Sequence, residues 1–179
     1  DRKQDQLANR FLNTYLEITG DYAGLSVLPF YLCYRAMVRA KVDAFRIEQI
    51  GNDINDMKAR EFTEFESYIE LAINNTKPLT STLFIMRGVS ASGKSTVSQQ
   101  LLETIGAIRI RSDVERKRLF DISLDENAAS DINKGIYTSK TSKQTYEKLL
   151  QLSSTVVSAG FTVIVDAAFL DYEQRKPFQ

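Results

Sequence analysis

From Leu7 to about Asn75, apolar side chains recur at helical spacing: Leu7, Phe11, Leu12, Tyr15 and Leu16, then Leu32, Ala36, Val38, Val42 and Phe45, then Phe62, Phe65, Ile69 and Ile73. The spacing predicts three helices. Gly20 and Gly24 bracket the first break, Gly51-Asn52-Asp53 marks the second, and Asn74 to Pro78 ends the third, since proline cannot continue a helix. Beyond about Ser81 the period changes. Short β-type runs at Leu83 to Met86, Ala107 to Ile110 and Phe161 to Val165 alternate with helical stretches at about Lys94 to Thr104, Val114 to Phe120 and Thr141 to Ala159. Such alternation predicts a parallel sheet with helical crossovers. The chain therefore reads as an all-helical segment over residues 1–75, a linker over 76–81 and an α/β domain over 82–179. Asp121 to Thr138 is polar and irregular, and a loop of that length is expected to serve a function such as closing over a substrate.

The turn between the first strand and the helix after it carries the chemistry. Gly88-Val89-Ser90-Ala91-Ser92-Gly93-Lys94-Ser95 fits G-x-x-x-x-G-K-[ST] in the setting that pattern requires, directly after a strand and directly before a helix. Glycines there let backbone amides converge on phosphate oxygens, and the helix start adds the positive end of its dipole. Gly88, Ser90, Ala91, Ser92 and Gly93 are expected to cradle the phosphates of ATP. Lys94 is expected to reach the β and γ phosphates, Ser95 to place its hydroxyl on Mg²⁺, and Thr96 to aid the helix start or the α-phosphate.

Two carboxylates follow strands, where ligands of α/β sheets gather. Asp113 lies just past the second strand in Arg111-Ser112-Asp113-Val114-Glu115-Arg116, and Asp166 ends the third. Asp113 reads as a catalytic carboxylate, or as part of a helix start in which Ser112 and Glu115 form an S-x-x-E capping box. Asp166 reads as a second magnesium ligand beside Ser95, or as an N-cap. Arg116, one turn beyond Asp113, reads as a ligand for an anionic substrate, as an orienter of the carboxylate, or as a solvated surface arginine. Arg175 and Lys176 read as surface charges.

Composition narrows the chemistry further. Histidine is absent, which excludes Ser-His-Asp hydrolysis, His-ligated zinc and the His-x-Asp catalytic loop of protein kinases. Twenty-three basic side chains balance 23 acidic ones, so no general attraction to nucleic acid or to an anionic membrane is indicated. No stretch approaches the roughly 18 apolar residues of a spanning helix. Cys33 is the only cysteine; no internal disulfide can form, it reads as a core thiol, and the cytoplasm is the expected compartment.

The segment Phe84 to Phe169, with Arg-Ser-Asp-Val-Glu-Arg-Lys-Arg-Leu-Phe and Val-Ile-Val-Asp-Ala, resembles the P-loop kinase half of bacterial two-part proteins. Those proteins join an aminoglycoside-phosphotransferase-like domain to an ATP-binding domain. The helical part, with Arg10 to Leu16 and Tyr34 to Val42, resembles the last helices of their first half. The resemblance implies an adenylate-kinase-like P-loop NTPase sheet, an upstream phosphotransferase-like domain as partner, and an aspartate at position 113 acting as general base. Ala168 departs from it, standing where a threonine is expected. The chain then reads as an internal piece whose later strands and lid would follow Gln179, with β-edge pairing as a route to self-association.

The leading expectation is a kinase that moves the γ-phosphate of MgATP to a hydroxyl of an unknown acceptor, with Asp113, Lys94 and Arg116 as the catalytic groups. The alternatives are an ATPase that drives a conformational change and a non-catalytic scaffold that nucleotide stabilises.

Overall fold

The computed structural model describes residues 4–50, 56–77, 80–89, 91–122 and 138–179. Helix α1 (Asp5–Thr19) ends at Gly20, which takes the left-handed conformation (φ 72°) and donates its amide to the Leu16 carbonyl. A 3-10 turn (Tyr22–Ser26) leads into α2 (Leu28–Ile50) and α3 (Asp56–Asn74). Then come β1 (Leu83–Met86), α4 (Lys94–Ile105), β2 (Ile108–Arg111), α5 (Ser112–Leu119), α6 (Ser139–Ser158), β3 (Val163–Asp166) and α7 (Tyr172–Arg175). The predicted strands and the helices after them thus lie within a few residues of their sequence positions. The expected break at Gly51-Asn52-Asp53 and nearly all of the Asp121 to Thr138 loop fall outside the described residues.

Contacts divide the chain into two compact units, Gly24–Leu79 and Arg2–Ala23 with Thr80–Gln179. The break between Leu79 and Thr80 falls inside the 76–81 linker read from the pattern, but contacts group α1 with the sheet rather than with α2 and α3. Asn13 accounts for much of this. Its side-chain amide donates to the Ala107 carbonyl at 3.0 Å, and its side-chain oxygen accepts the Arg109 amide at 2.7 Å. Asn13 is buried and extends the hydrogen bonding of β2 from the helix.

In the Gly24–Leu79 unit, Ala36 and Ala40 of α2 and Tyr68 and Ala72 of α3 are buried. Arg39 donates to the Tyr68 hydroxyl, and Arg46 lies 3.4 Å from Asp43 and 3.6 Å from Glu61. Leu32, Val42 and Phe45, expected on the buried face, are exposed, as are Phe30, Tyr31 and Tyr34. Cys33 is half-buried rather than a core thiol. The helical period was legible, but which side chains it buries was not.

In the other unit the sheet order among the described residues is β1-β3-β2, all parallel. Every residue of β3 is buried, as expected for a strand covered on both faces. Ile164 packs with Leu102 of α4 and with Ala107. Strand alternation turns Val163 and Val165 to the opposite face. Beyond β3, Phe169 is fully buried between the rings of Tyr146 and Phe178, and Arg175 donates to the Phe169 and Leu170 carbonyls. Arg175 is thus a staple for that loop and not a free surface charge, whereas Lys176 is exposed.

Replacing Asn13 with alanine leaves a buried amide and a buried carbonyl of the β2 region unpaired. Urea unfolding of Asn13→Ala is expected to show a loss of about 2 to 4 kcal/mol, at the usual cost of two unsatisfied buried groups.

Candidate functional site

Parallel pairing aligns Met86, Asp166 and Arg111 across the three strands. The loop at Gly88, the turn after Asp166 and the start of α5 therefore leave the sheet on one edge, at the carboxyl ends of the strands.

The loop at Gly88 has a geometry that few residues tolerate. Gly88 (φ 154°) and Gly93 (φ 84°) take positive φ, as does Ala91 (φ 60°). A Cβ on Gly88 would stand 2.9 Å from the Ser92 hydroxyl oxygen, so any side chain there must displace Ser92. The amide of Gly88 donates to the carbonyl of Ala168 at 3.0 Å. That backbone bond holds the start of the loop although residue 168 lacks the hydroxyl the resemblance led us to expect. Helix α4 starts at Lys94, and the Lys94 ammonium donates to the Val89 carbonyl at 2.6 Å, across the loop it belongs to. Ser95 and Thr96 are exposed in the first turn. Ser90 lies outside the described residues.

The two carboxylates have different settings. Asp166 is buried, and one of its oxygens accepts the Ser98 hydroxyl at 3.1 Å. Asp113 is 56% exposed and accepts from Arg111 at 2.9 Å. Burial works against the charge of Arg111, but Asp113 and Glu17 outweigh it and hold the guanidinium above its ordinary value. Arg116 is half-buried and donates to the Thr145 hydroxyl at 3.4 Å, across from α5 to α6.

The capping box expected from Ser112 and Glu115 does not form. Helix α5 starts with Arg111 at its cap position and has no side-chain cap bond, while Glu115 is fully buried and accepts from Arg118 and from the Tyr22 hydroxyl. Burial, and then the Glu115 charge, pushes the Tyr22 hydroxyl far above its ordinary pKa. Glu115 turns inward because a cation and a phenol await it there, contacts a local pattern cannot show.

Several residues around the site gave no signal in the sequence. Glu17 of α1 accepts from Arg111 at 2.7 Å and from Arg109 at 3.4 Å. Arg109 also donates weakly to the Ser95 carbonyl and the Ser98 hydroxyl. Charged residues at alternate positions of β2, Arg109 and Arg111, were the one visible hint, since strands of parallel sheets are generally buried on both faces.

A phosphate loop between a parallel strand and a helix, with a buried aspartate at the end of the neighbouring strand, defines a P-loop nucleotide-binding protein of the α/β type. The chain belongs to the AAA domain family, which matches residues 83–179. It is also similar to uncharacterized proteins of Mycobacterium tuberculosis and Mycobacterium bovis, 28% identical over 169 residues. Those residues are 94% of this chain but 32% of each relative, so the chain spans about a third of the length of the curated relatives it matches. No solved structure matches it. Neither comparison points to an aminoglycoside-phosphotransferase-like domain. Among the described residues, no helix is long and apolar enough to cross a membrane.

Gly88→Ala must move the Ser92 side chain and strain the backbone. It is expected to weaken nucleotide binding at least tenfold by isothermal titration while leaving α1 and the sheet folded by circular dichroism.

Proposed function

We propose that this protein is a P-loop phosphotransferase that moves the γ-phosphate of MgATP to a hydroxyl of a small acceptor. The observation that carries the reading is the alignment of three strand ends, which sets the phosphate loop, Asp166 and Asp113 along one edge of the sheet. The donor set suits magnesium, since the Ser95 hydroxyl and the Asp166 carboxylate offer hard oxygen ligands and Ser98 orients the carboxylate. Mg²⁺ bound with ATP supplies charge neutralisation at the β and γ phosphates.

The chain's own groups do the rest. Amides of the loop from Gly88 to Ser95 bind phosphate oxygens, and the Lys94 ammonium exchanges the Val89 carbonyl for them. Asp113 offers an open carboxylate oxygen to the acceptor hydroxyl and takes its proton as that oxygen bonds the γ-phosphorus and the bond from phosphorus to the bridging oxygen breaks, releasing ADP. Arg111 orients Asp113 from β2. Arg116 serves on the α5 to α6 side, where an anionic part of the acceptor would meet it. In this reading the protein works in the cytoplasm, and a further domain, phosphotransferase-like by resemblance, covers the exposed apolar side chains of α2.

MgATP is expected to raise the melting temperature by about 5 to 10 °C at a hundredfold excess over its dissociation constant, and Lys94→Ala to remove most of that shift. An undiminished shift in that variant would overturn the phosphate-loop assignment.

The carboxylates are separated by neutral isosteres in the full-length protein. Asp166→Asn is expected to weaken magnesium-dependent ATP binding as well as turnover. Asp113→Asn should keep affinity and lose about 10²-fold in the rate of acceptor phosphorylation. A panel of hydroxyl acceptors with detection of both products checks the reaction class: a phosphorylated acceptor supports the kinase, inorganic phosphate alone supports an ATPase, and tight binding without either supports a scaffold.

A further inference from the structure

Helix α1 lies outside the matched AAA domain residues, yet one carboxylate on it meets the charged groups of the site. Arg109 and Arg111 stand two apart on β2, so they project from the same face, and that face is the one carrying Asp166, the strand partner of Arg111. Both arginines converge on Glu17. Arg111 forks, one terminal nitrogen on Glu17 at 2.7 Å and the other on Asp113 at 2.9 Å. Arg109 is nine-tenths buried and divides its terminal nitrogens between Glu17 on one side and the Ser95 carbonyl and Ser98 hydroxyl on the other. Ser98 in turn holds Asp166. The inner nitrogen, Nε, of each arginine is buried with no hydrogen-bond partner among the described residues, so these two cations lean heavily on one carboxylate.

We propose that Glu17 is a positioning residue of the nucleotide site, which holds Arg109 and Arg111 in a divided arrangement that leaves Asp166 available to a metal ion. The inference rests on the reading of Asp166 as a magnesium-binding residue. With Glu17 present, Arg111 is drawn toward α1 and spares Asp166, although it stands close enough to feel that charge. With Glu17 neutral, two partly buried guanidinium groups lose their shared counter-charge, and Asp113 and Asp166 remain to draw Arg111. Arg111 then moves onto them and competes with the metal.

The end of α1 is also tied to the helix that carries Asp113. The Glu17 carbonyl accepts from Arg118 at 2.6 Å, and Arg118 pairs with buried Glu115, which Tyr22 also reaches. Gly20 fits this join, since a Cβ there would lie 2.9 Å from the Arg118 Nε. The residue that pairs with Arg111 is therefore also the one that ties α1 to α5.

The test compares Glu17→Gln with Asn13→Ala, which loosens the same helix from the same strand but leaves both guanidinium groups their partners. Without nucleotide, the ¹³C carboxyl resonances of Asp113 and Asp166 are followed by NMR. Glu17→Gln is expected to move both, and Asn13→Ala to leave them near their wild-type positions. With nucleotide, Glu17→Gln is expected to weaken ATP binding about tenfold in Mg²⁺ and less than twofold in EDTA. Unmoved carboxyl resonances in Glu17→Gln, or equal movement in Asn13→Ala, overturn the positioning role. If the resonances move as expected but wild-type protein shows no magnesium-dependent ATP binding, the relay stands and the metal-binding reading of Asp166 fails. A loss in Glu17→Gln that is equal in Mg²⁺ and EDTA also overturns the inference, since it marks general loosening.

Discussion

Val163 to Asp166 pairs in parallel with β1 on one edge and with β2 on the other, and every residue of this four-residue strand is buried. A strand in that position has no freedom to slip. A shift by one residue would turn Ile164 away from Leu102 and carry Asp166 to the wrong face. The register set by burying Val163, Ile164 and Val165 therefore also sets the height of Asp166 and, through pairing, of Met86 and Arg111. From those three points the phosphate loop, the Asp166 turn and α5 depart. The placement of the site is a by-product of core packing, which explains how so short a sheet can position charged groups without a dedicated scaffold for each.

Around that core the charged residues form one connected system. Lacking histidine, the protein balances carboxylates against arginines and lysine only, and none of these changes charge near neutral pH in its ordinary state. The groups nearest the nucleotide site are therefore adjusted by position more than by protonation. Arg111 shared between Glu17 and Asp113, and Ser98 shared between the Ser95 carbonyl and Asp166, are adjustments of that kind. In the Gly24–Leu79 unit, Arg46 plays a simpler part beside Asp43 and Glu61, whose acidic cluster with Glu64 could otherwise attract a cation.

The grouping of α1 with the sheet changes how the family match is understood. The AAA domain residues begin at position 83, but the compact unit around them includes a helix from the far end of the chain. Asn13 supplies β2 with hydrogen bonds that a neighbouring strand would otherwise supply, and Glu17 supplies its arginines with a counter-charge. A protein built this way has its nucleotide site joined in sequence to the helical unit, and the longer relatives keep both parts, since the similarity runs over 94% of this chain.

The phosphate loop, the strands and the helices after them were readable from residues 83–179 because each depends on local requirements: positive φ at glycines, alternation or helical period in the apolar positions, and a turn at each end. That Asp113 and Asp166 follow strands was readable for the same reason. What the pattern did not contain was which partners distant side chains find. Glu115 could be read as a cap for α5 and instead turns to Tyr22 and Arg118; Arg175 was expected in solvent and instead holds the loop after β3. Helix α1 has the same amphipathic period as α2 and α3, so its period says that one face is covered but not by what. Only the tertiary structure, by bringing residues about ninety positions apart within hydrogen-bond reach, decided that α1 belongs with the sheet and that Glu17 stands between the two arginines.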